Sequence, residues 1–172
     1  MNGIGYRDAE PADAAALARL FVQSFTETFG QLYKPEDLAA FLSEKDEAGW
    51  AEELRDPGLS VRLVEVEGEA VAFAKVGPVS LPVEPKRPAV ELRQFYVLKP
   101  WQGKGIAEEL MRWVLDTAQA KGAEELYLSV YVDNHRARRF YERYGFEFFG
   151  PYSFMVGNQA DEDHIMRLRF GA

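Results

Sequence analysis

Gln102-Gly103-Lys104-Gly105-Ile106-Ala107 falls where a strand gives way to an amphipathic helix, and its residue types suit an anion. Glycine lets the backbone turn tightly and approach a ligand with no Cβ in the way. The first turn of a helix leaves N–H groups unpaired and carries the positive end of the helix dipole. Strand, glycine-rich loop and helix together make a cradle for phosphate or pyrophosphate, and Lys104 places a cation beside it. Two other nucleotide-binding patterns fit badly. A P-loop needs GxxxxGK[ST], and neither that spacing nor the hydroxyl after lysine is present. A dinucleotide fingerprint needs glycine or alanine where Glu108 stands. For a Gly-x-Gly taken alone, a tight turn without a ligand is an equally good account.

The elements that hold this loop follow from hydrophobic period and punctuation. Residues 4–8 read as a short strand. Pro11 opens a helix with Leu17, Leu20, Phe21, Ser24, Phe25 and Thr28 on one face, and a second helical region runs with breaks from Pro35 to Leu54. Asp56-Pro57-Gly58 ends it. Val61–Val66 and Ala70–Val76 form a hairpin about Gly68, the proline-rich piece 78–88 is a loop, and Ala89–Leu98 is a strand. A helix from about Gly105 to Lys121 buries Ile106, Leu110, Met111, Val114 and Ala118, with Gly122 as its stop. Glu125–Val132 is a strand and Asn134–Tyr144 a short helix closed by Gly145. Phe146–Phe149 and His164–Phe170 are two last strands joined by a loop of Gly, Asn and acidic residues. The order β-α-α-β-β-β-α-β-α-β-β gives an α/β fold with a mixed, mostly antiparallel sheet flanked by helices, expected as a single domain over 1–172.

Composition narrows the chemistry. The 172 residues are 47% hydrophobic and 28% charged, with no apolar run near the roughly 20 residues that span a bilayer. A formal net charge of -8 argues against nucleic acid as a partner, which needs clustered Lys and Arg. The absence of cysteine excludes disulfides, thiolate metal sites and a cysteine nucleophile. His135 and His164 lack metal-ligand spacing, so no metal is expected. Met1–Gly5 has neither a basic region nor an apolar stretch, so no signal peptide is expected and the cytoplasm is the default compartment.

Gln102, Gly105 and Ala107 match the Gln/Arg-x-x-Gly-x-Gly/Ala motif of the GNAT superfamily of N-acetyltransferases. Phe95-Tyr96-Val97 followed by Pro100 resembles that family's fourth strand running into the loop. Asn134-x-x-Ala137-x-x-Phe140-Tyr141-Glu142-Arg143-x-Gly145-Phe146 is similar to its second signature, about thirty residues on. Two separate motifs in the right order, with the family's element order around them, identify the chain as resembling this superfamily over nearly its whole length.

The resemblance implies acetyl-coenzyme A as co-substrate and direct transfer of its acetyl group to an amine. Main-chain groups of Phe95, Tyr96 and Val97, beside a bulge that splays the fourth and fifth strands, would pair with the pantetheine arm. Amides of Gln102, Gly103, Lys104, Gly105, Ile106 and Ala107 would hold the pyrophosphate, and Asn134 would lie near the pantetheine. Tyr141 is the candidate general acid that protonates the departing thiolate; helix packing is the alternative for its ring. Glu91 is the candidate base or water-mediated proton acceptor, placed by simple alternation on one face with Arg93 and Phe95. A Glu91–Arg93 surface pair accounts for it equally well, and Tyr96 and Asp133 are fallbacks. Lys104, Arg136, Arg138 and Arg139 form either a basic rim for phosphates or a solvated helix face.

The acceptor is less clearly written. The segment Glu36–Asp56 carries eight acidic residues, and Asp161-Glu162-Asp163 precedes the last strand; such a field would concentrate a cation, or simply keep the protein soluble. Ser24–Gly30, Pro35–Leu38, Phe154–Gly157 and Asp163–Met166 resemble bacterial spermidine/spermine-type acetyltransferases. A polyamine is therefore the first candidate. A peptide or protein N-terminus, another small-molecule amine, and a non-catalytic acyl-CoA-binding sensor remain open. Dimers are common in the resembled family, so a homodimer is an open expectation.

Overall fold

Seven strands form one sheet in the order β1-β2-β3-β4-β5-β7-β6 in the computed structural model, which describes residues 3–171. Met1 and Asn2, part of the stretch read for an export signal, and Ala172 lie outside the described residues. The strands are β1 (Ile4–Asp8), β2 (Ser60–Val66), β3 (Glu69–Gly77), β4 (Ala89–Val97), β5 (Glu125–Tyr131), β6 (Glu147–Val156) and β7 (Gln159–Arg169). Every neighbouring pair is antiparallel except β4 and β5. That one parallel pair is where the chain crosses over through a helix, as a parallel connection requires.

The helices are α1 (Ala14–Phe29), α2 (Pro35–Ser43), α3 (Glu47–Leu54), α4 (Ile106–Ala120) and α5 (His135–Arg143). Faces of α4 and α5 cover one side of the sheet, where Ile106, Leu110, Met111, Val114 and Tyr141 meet Val64, Ala72, Leu92 and Leu126. On the other side Leu17, Phe21 and Phe25 of α1 and Trp50 of α3 pack on Leu63 and Phe73. A smaller cluster of Leu81, Tyr127 and Ile165 lies under the proline-rich loop.

Three local features depart from the sequence reading. The second helical region is two helices, because Asp46 accepts a hydrogen bond from the Gly49 N–H and caps a fresh start at α3. The last two strands are also much longer than their apolar cores. They continue through the acidic residues into a hairpin paired from Glu147–Arg167 out to Val156–Gln159, so Asp161-Glu162-Asp163 is strand, not loop. Polar residues masked it, since apolar alternation is missing there: Asp161 accepts from the Tyr33 hydroxyl and Glu162 is exposed. The hairpin tip is anchored by Asp37, which accepts from the Asn158 N–H, and by Gln159, which donates to the Leu32 carbonyl.

The third feature opens the molecule. Between Gln94 and Leu92, β4 slips by one residue against β3, leaving Arg93 as a bulge. Bulges twist a strand and disrupt its ladder. Register between β4 and β5 runs only from Ala89–Glu125 to Glu91–Tyr127. Beyond it the two strands part.

Candidate active site

The parting of β4 and β5 leaves a cavity of about 720 Å³ through the middle of the fold. Gln102, Gly103 and Ala107 line one end, Asn134, Phe140 and Tyr141 of the α5 segment line its side, and Tyr33, Asp161 and Asp163 line the other end. One continuous space therefore joins the glycine loop, the α5 signature and the acidic hairpin.

At the loop, Gly103 has φ of 76° and Gly105 has φ of 87°. Both lie in the left-handed region that side chains avoid. A Cβ built on either would meet nothing within 4 Å, so the glycines are needed for backbone shape and leave open space above the amides. Gly105 caps α4, and its carbonyl accepts from the Glu109 N–H. The Gln102 side chain acts separately from these amides. Its Nε2 donates to the Val97 carbonyl at 3.0 Å and pins the loop to the end of β4. Ile106 is fully buried, so only its backbone is available to a ligand, while Lys104 is exposed and outside the cavity wall. An open strand edge, left-handed glycines and a helix N-terminus suit a pantetheine pyrophosphate.

Asn134 caps α5, its Oδ1 accepting from the Ala137 N–H at 3.3 Å, and it lines the cavity as well. Arg136, Arg139 and Arg143 line the cavity, whereas Arg138 donates to the Val132 carbonyl. Tyr141 packs edge-on against Phe95 and Phe146, and burial pushes its pKa up. The phenol thus keeps its proton through the neutral range. Tyr96, whose ring stacks on Phe73, is pushed up by burial first and then by Tyr141 and Asp163, so its hydroxyl lies within reach of both groups' influence.

Glu91 is placed elsewhere. Leu92, Phe95 and Val97 all pack towards the α4–α5 face, because the Arg93 bulge resets the alternation. Glu91 therefore lies on the opposite face from Phe95, against the expectation that the two share one. Its Oε1 accepts from Ser80 N–H at 2.7 Å, Ser80 Oγ at 3.0 Å and Leu81 N–H at 3.1 Å. Arg93 donates to the Pro78 carbonyl, so no Glu91–Arg93 pair exists; both residues tie down the proline-rich loop. Asp133 is exposed and accepts from the Tyr131 hydroxyl.

Two groups escaped the sequence reading as individuals. Asp163 is 7% exposed and is raised to about 7 by burial and by Asp161 beside it. Asp161 accepts a hydrogen bond from the Tyr33 hydroxyl. Gln94, next to the bulge, lines the same cavity with its Oε1 buried and unpartnered among the described residues. The acidic helices do not reach this space: within Glu36–Asp56, Glu53 pairs with Lys75, Asp46 caps α3, Asp37 holds the hairpin, and none lines the wall.

The chain belongs to the acetyltransferase (GNAT) family, whose model matches residues 15–146. An uncharacterized N-acetyltransferase of Mycobacterium tuberculosis is 32% identical over 155 residues, covering 90% of this chain and 96% of that one. The spermine/spermidine N(1)-acetyltransferase of Bacillus subtilis is 31% identical over 90 residues, 51% of this chain and 59% of that one. In fold it is similar to the PaiA N-acetyltransferase of Thermoplasma acidophilum, solved with coenzyme A, at a TM-score of 0.79 with 17% identity over 97% and 99% of the two chains. The protein is thus an acyltransferase with acetyl-coenzyme A as donor. Among the described residues, no group of three or more His, Asp or Glu is disposed to hold a metal, and no helix is long and apolar enough to cross a membrane.

Proposed function

We propose that this protein transfers an acetyl group directly from acetyl-coenzyme A to a primary amine carried on a cationic, polyamine-type chain. The observation that carries the reading is the single cavity that runs from the glycine loop, past Tyr141, to the acidic end of the β6–β7 hairpin. When bound, acetyl-coenzyme A supplies the acetyl thioester. The amides of Gln102 to Ala107 hold its pyrophosphate, the open edge of β4 at Phe95, Tyr96 and Val97 takes the pantetheine, and Asn134 flanks it. The Tyr141 hydroxyl donates its proton to the leaving sulfur as general acid. Phe25, Phe29 and Phe154 wall the acceptor end, where aromatic faces and carboxylates favour a cation. The partial likeness to a spermine/spermidine acetyltransferase supports the same substrate class.

Thiol release from acetyl-coenzyme A across spermidine, spermine, free amino acids and basic peptides tests this. Spermidine and spermine are expected to give the highest kcat/KM. Tyr141→Phe is expected to lower kcat by about 10²- to 10³-fold with acetyl-coenzyme A affinity within about twofold of wild type. Turnover of peptides alone would move the assignment to a protein N-terminus. Binding of acetyl-coenzyme A without thiol release for any amine would defeat the catalytic role given to Tyr141.

A further inference from the structure

The acceptor end of the cavity is short of hydrogen-bond donors. Asp163 is only 7% exposed, yet no described Lys, Arg or N–H pairs with its carboxyl. In register it lies between Tyr131 of β5 and Tyr152 of β6. Asp161 adds a like charge on β7, while Tyr33, Tyr96 of β4, Tyr131 of β5 and Tyr152 of β6 all feel its charge. Gln94 Oε1 is a further buried acceptor, with no hydrogen-bond partner among the described residues. A buried carboxylate without a cation is costly, because nothing replaces the hydration it has lost. What fits unpaired acceptors inside aromatic walls is a ligand that brings the donors and the positive charge together, and a primary ammonium is the smallest such group.

We propose that Asp163 is the seat of the acceptor's ammonium group and the first acceptor of its proton. This rests on the acetyltransferase reading above and replaces Glu91 in the role of base. One N–H proton of R–NH3+ passes to the Asp163 carboxylate, directly or through one water, freeing the nitrogen lone pair. That lone pair forms the C–N bond at the thioester carbonyl and the C–S bond breaks. Tyr141 gives its proton to the leaving sulfur and recovers one from the second N–H of the new amide nitrogen. Asp163 then releases its proton to solvent, so R–NH3+ and acetyl-coenzyme A yield the amide, the free thiol and one H+. A carboxyl raised to about 7 is far better matched to an ammonium than an ordinary carboxylate. Tyr96 lines the same cavity as Asp163 and Tyr141.

The test uses the full chain with spermidine as probe. For wild type, kcat/KM for spermidine is expected to rise with pH and bend near pH 7. Asp163→Asn is expected to lose about 10²- to 10³-fold at pH 7 and to recover about tenfold per pH unit towards pH 9, as solution supplies the free amine. Its affinity for acetyl-coenzyme A should stay within about twofold. The variant should melt higher than wild type at pH 8, since a carboxyl whose folded pKa is raised destabilises the fold where it is ionised. That gap should close as pH falls towards 4. A second readout needs no variant: spermidine binding to the wild-type protein at pH 7, measured in buffers of different ionisation enthalpy, is expected to release about half a proton. A variant with the wild-type pH profile, or binding with no proton release, overturns the role of Asp163 while leaving the acetyltransferase standing. Wild type that binds acetyl-coenzyme A but neither binds nor acetylates spermidine overturns the polyamine reading, and with it this seat.

Discussion

The cavity's two ends are built from different materials: the proposed donor end from backbone, the proposed acceptor end from side chains. At the donor end, Gln102 to Ala107 are consecutive, and the work proposed for them falls to amides beside two left-handed glycines and a helix start. At the acceptor end, Tyr33, Tyr96 and the pair Asp161 and Asp163 come from separate stretches of chain, and the work proposed for them falls to hydroxyls and carboxylates. A backbone site tolerates any side chain that does not block it, so it is carried by spacing and glycine. A side-chain site is carried by identity and burial, and can be retuned for a new amine without touching the donor end. Both open onto the space that Tyr141 lines.

Substitutions that strike one end alone separate the two. Gly105→Ala puts a Cβ on a residue with φ of 87°, where the new group meets no protein atom within 4 Å. It is expected to cost about 1 kcal/mol of stability from backbone strain and to weaken acetyl-coenzyme A about tenfold in a direct binding titration. The KM for spermidine should not change. Gly157→Ala strikes the other end. At φ of 59° its Cβ would lie 2.7 Å from Asp37 Cα, so the hairpin tip must shift away from α2. Steady-state kinetics are expected to show KM for spermidine raised about three- to tenfold, with acetyl-coenzyme A binding unchanged. Glu91→Gln, outside both ends, should alter kcat/KM by less than about threefold and leave the pH profile in place, because its Oε1 still accepts from Ser80 and Leu81. A flattened profile in that variant would return the proton to Glu91 and erase the distinction drawn for Asp163.

The same contrast explains which parts of the molecule are legible in sequence. The loop and the α5 signature are local, so residue type and spacing suffice to single out Gln102, Gly103, Asn134 and Tyr141, which line one space. Glu91 shows the limit of local rules. Alternation puts it beside Phe95, but the Arg93 bulge inserts one residue and moves everything upstream to the other face. The splayed strands and the failed alternation have that one cause. Asp163 is legible only as one acid among three; it lies inside the sheet, opposite Tyr131 of β5 on one side and Tyr152 of β6 on the other, a placement that only the long β6–β7 hairpin creates. The acidic helices mislead for the opposite reason, since their charge is visible in composition while their direction is set by packing: Glu53 turns to Lys75 and Asp37 to the hairpin.

The division of labour is tested most directly by crossed calorimetric titrations, with acetyl-coenzyme A and spermidine each titrated separately into Gly105→Ala and Asp163→Asn. The expected result is a clean crossing: Gly105→Ala weakens acetyl-coenzyme A about tenfold and leaves spermidine alone, while Asp163→Asn weakens spermidine at least tenfold and leaves acetyl-coenzyme A alone. Asp163→Asn weakening both ligands equally, or neither, would contradict it.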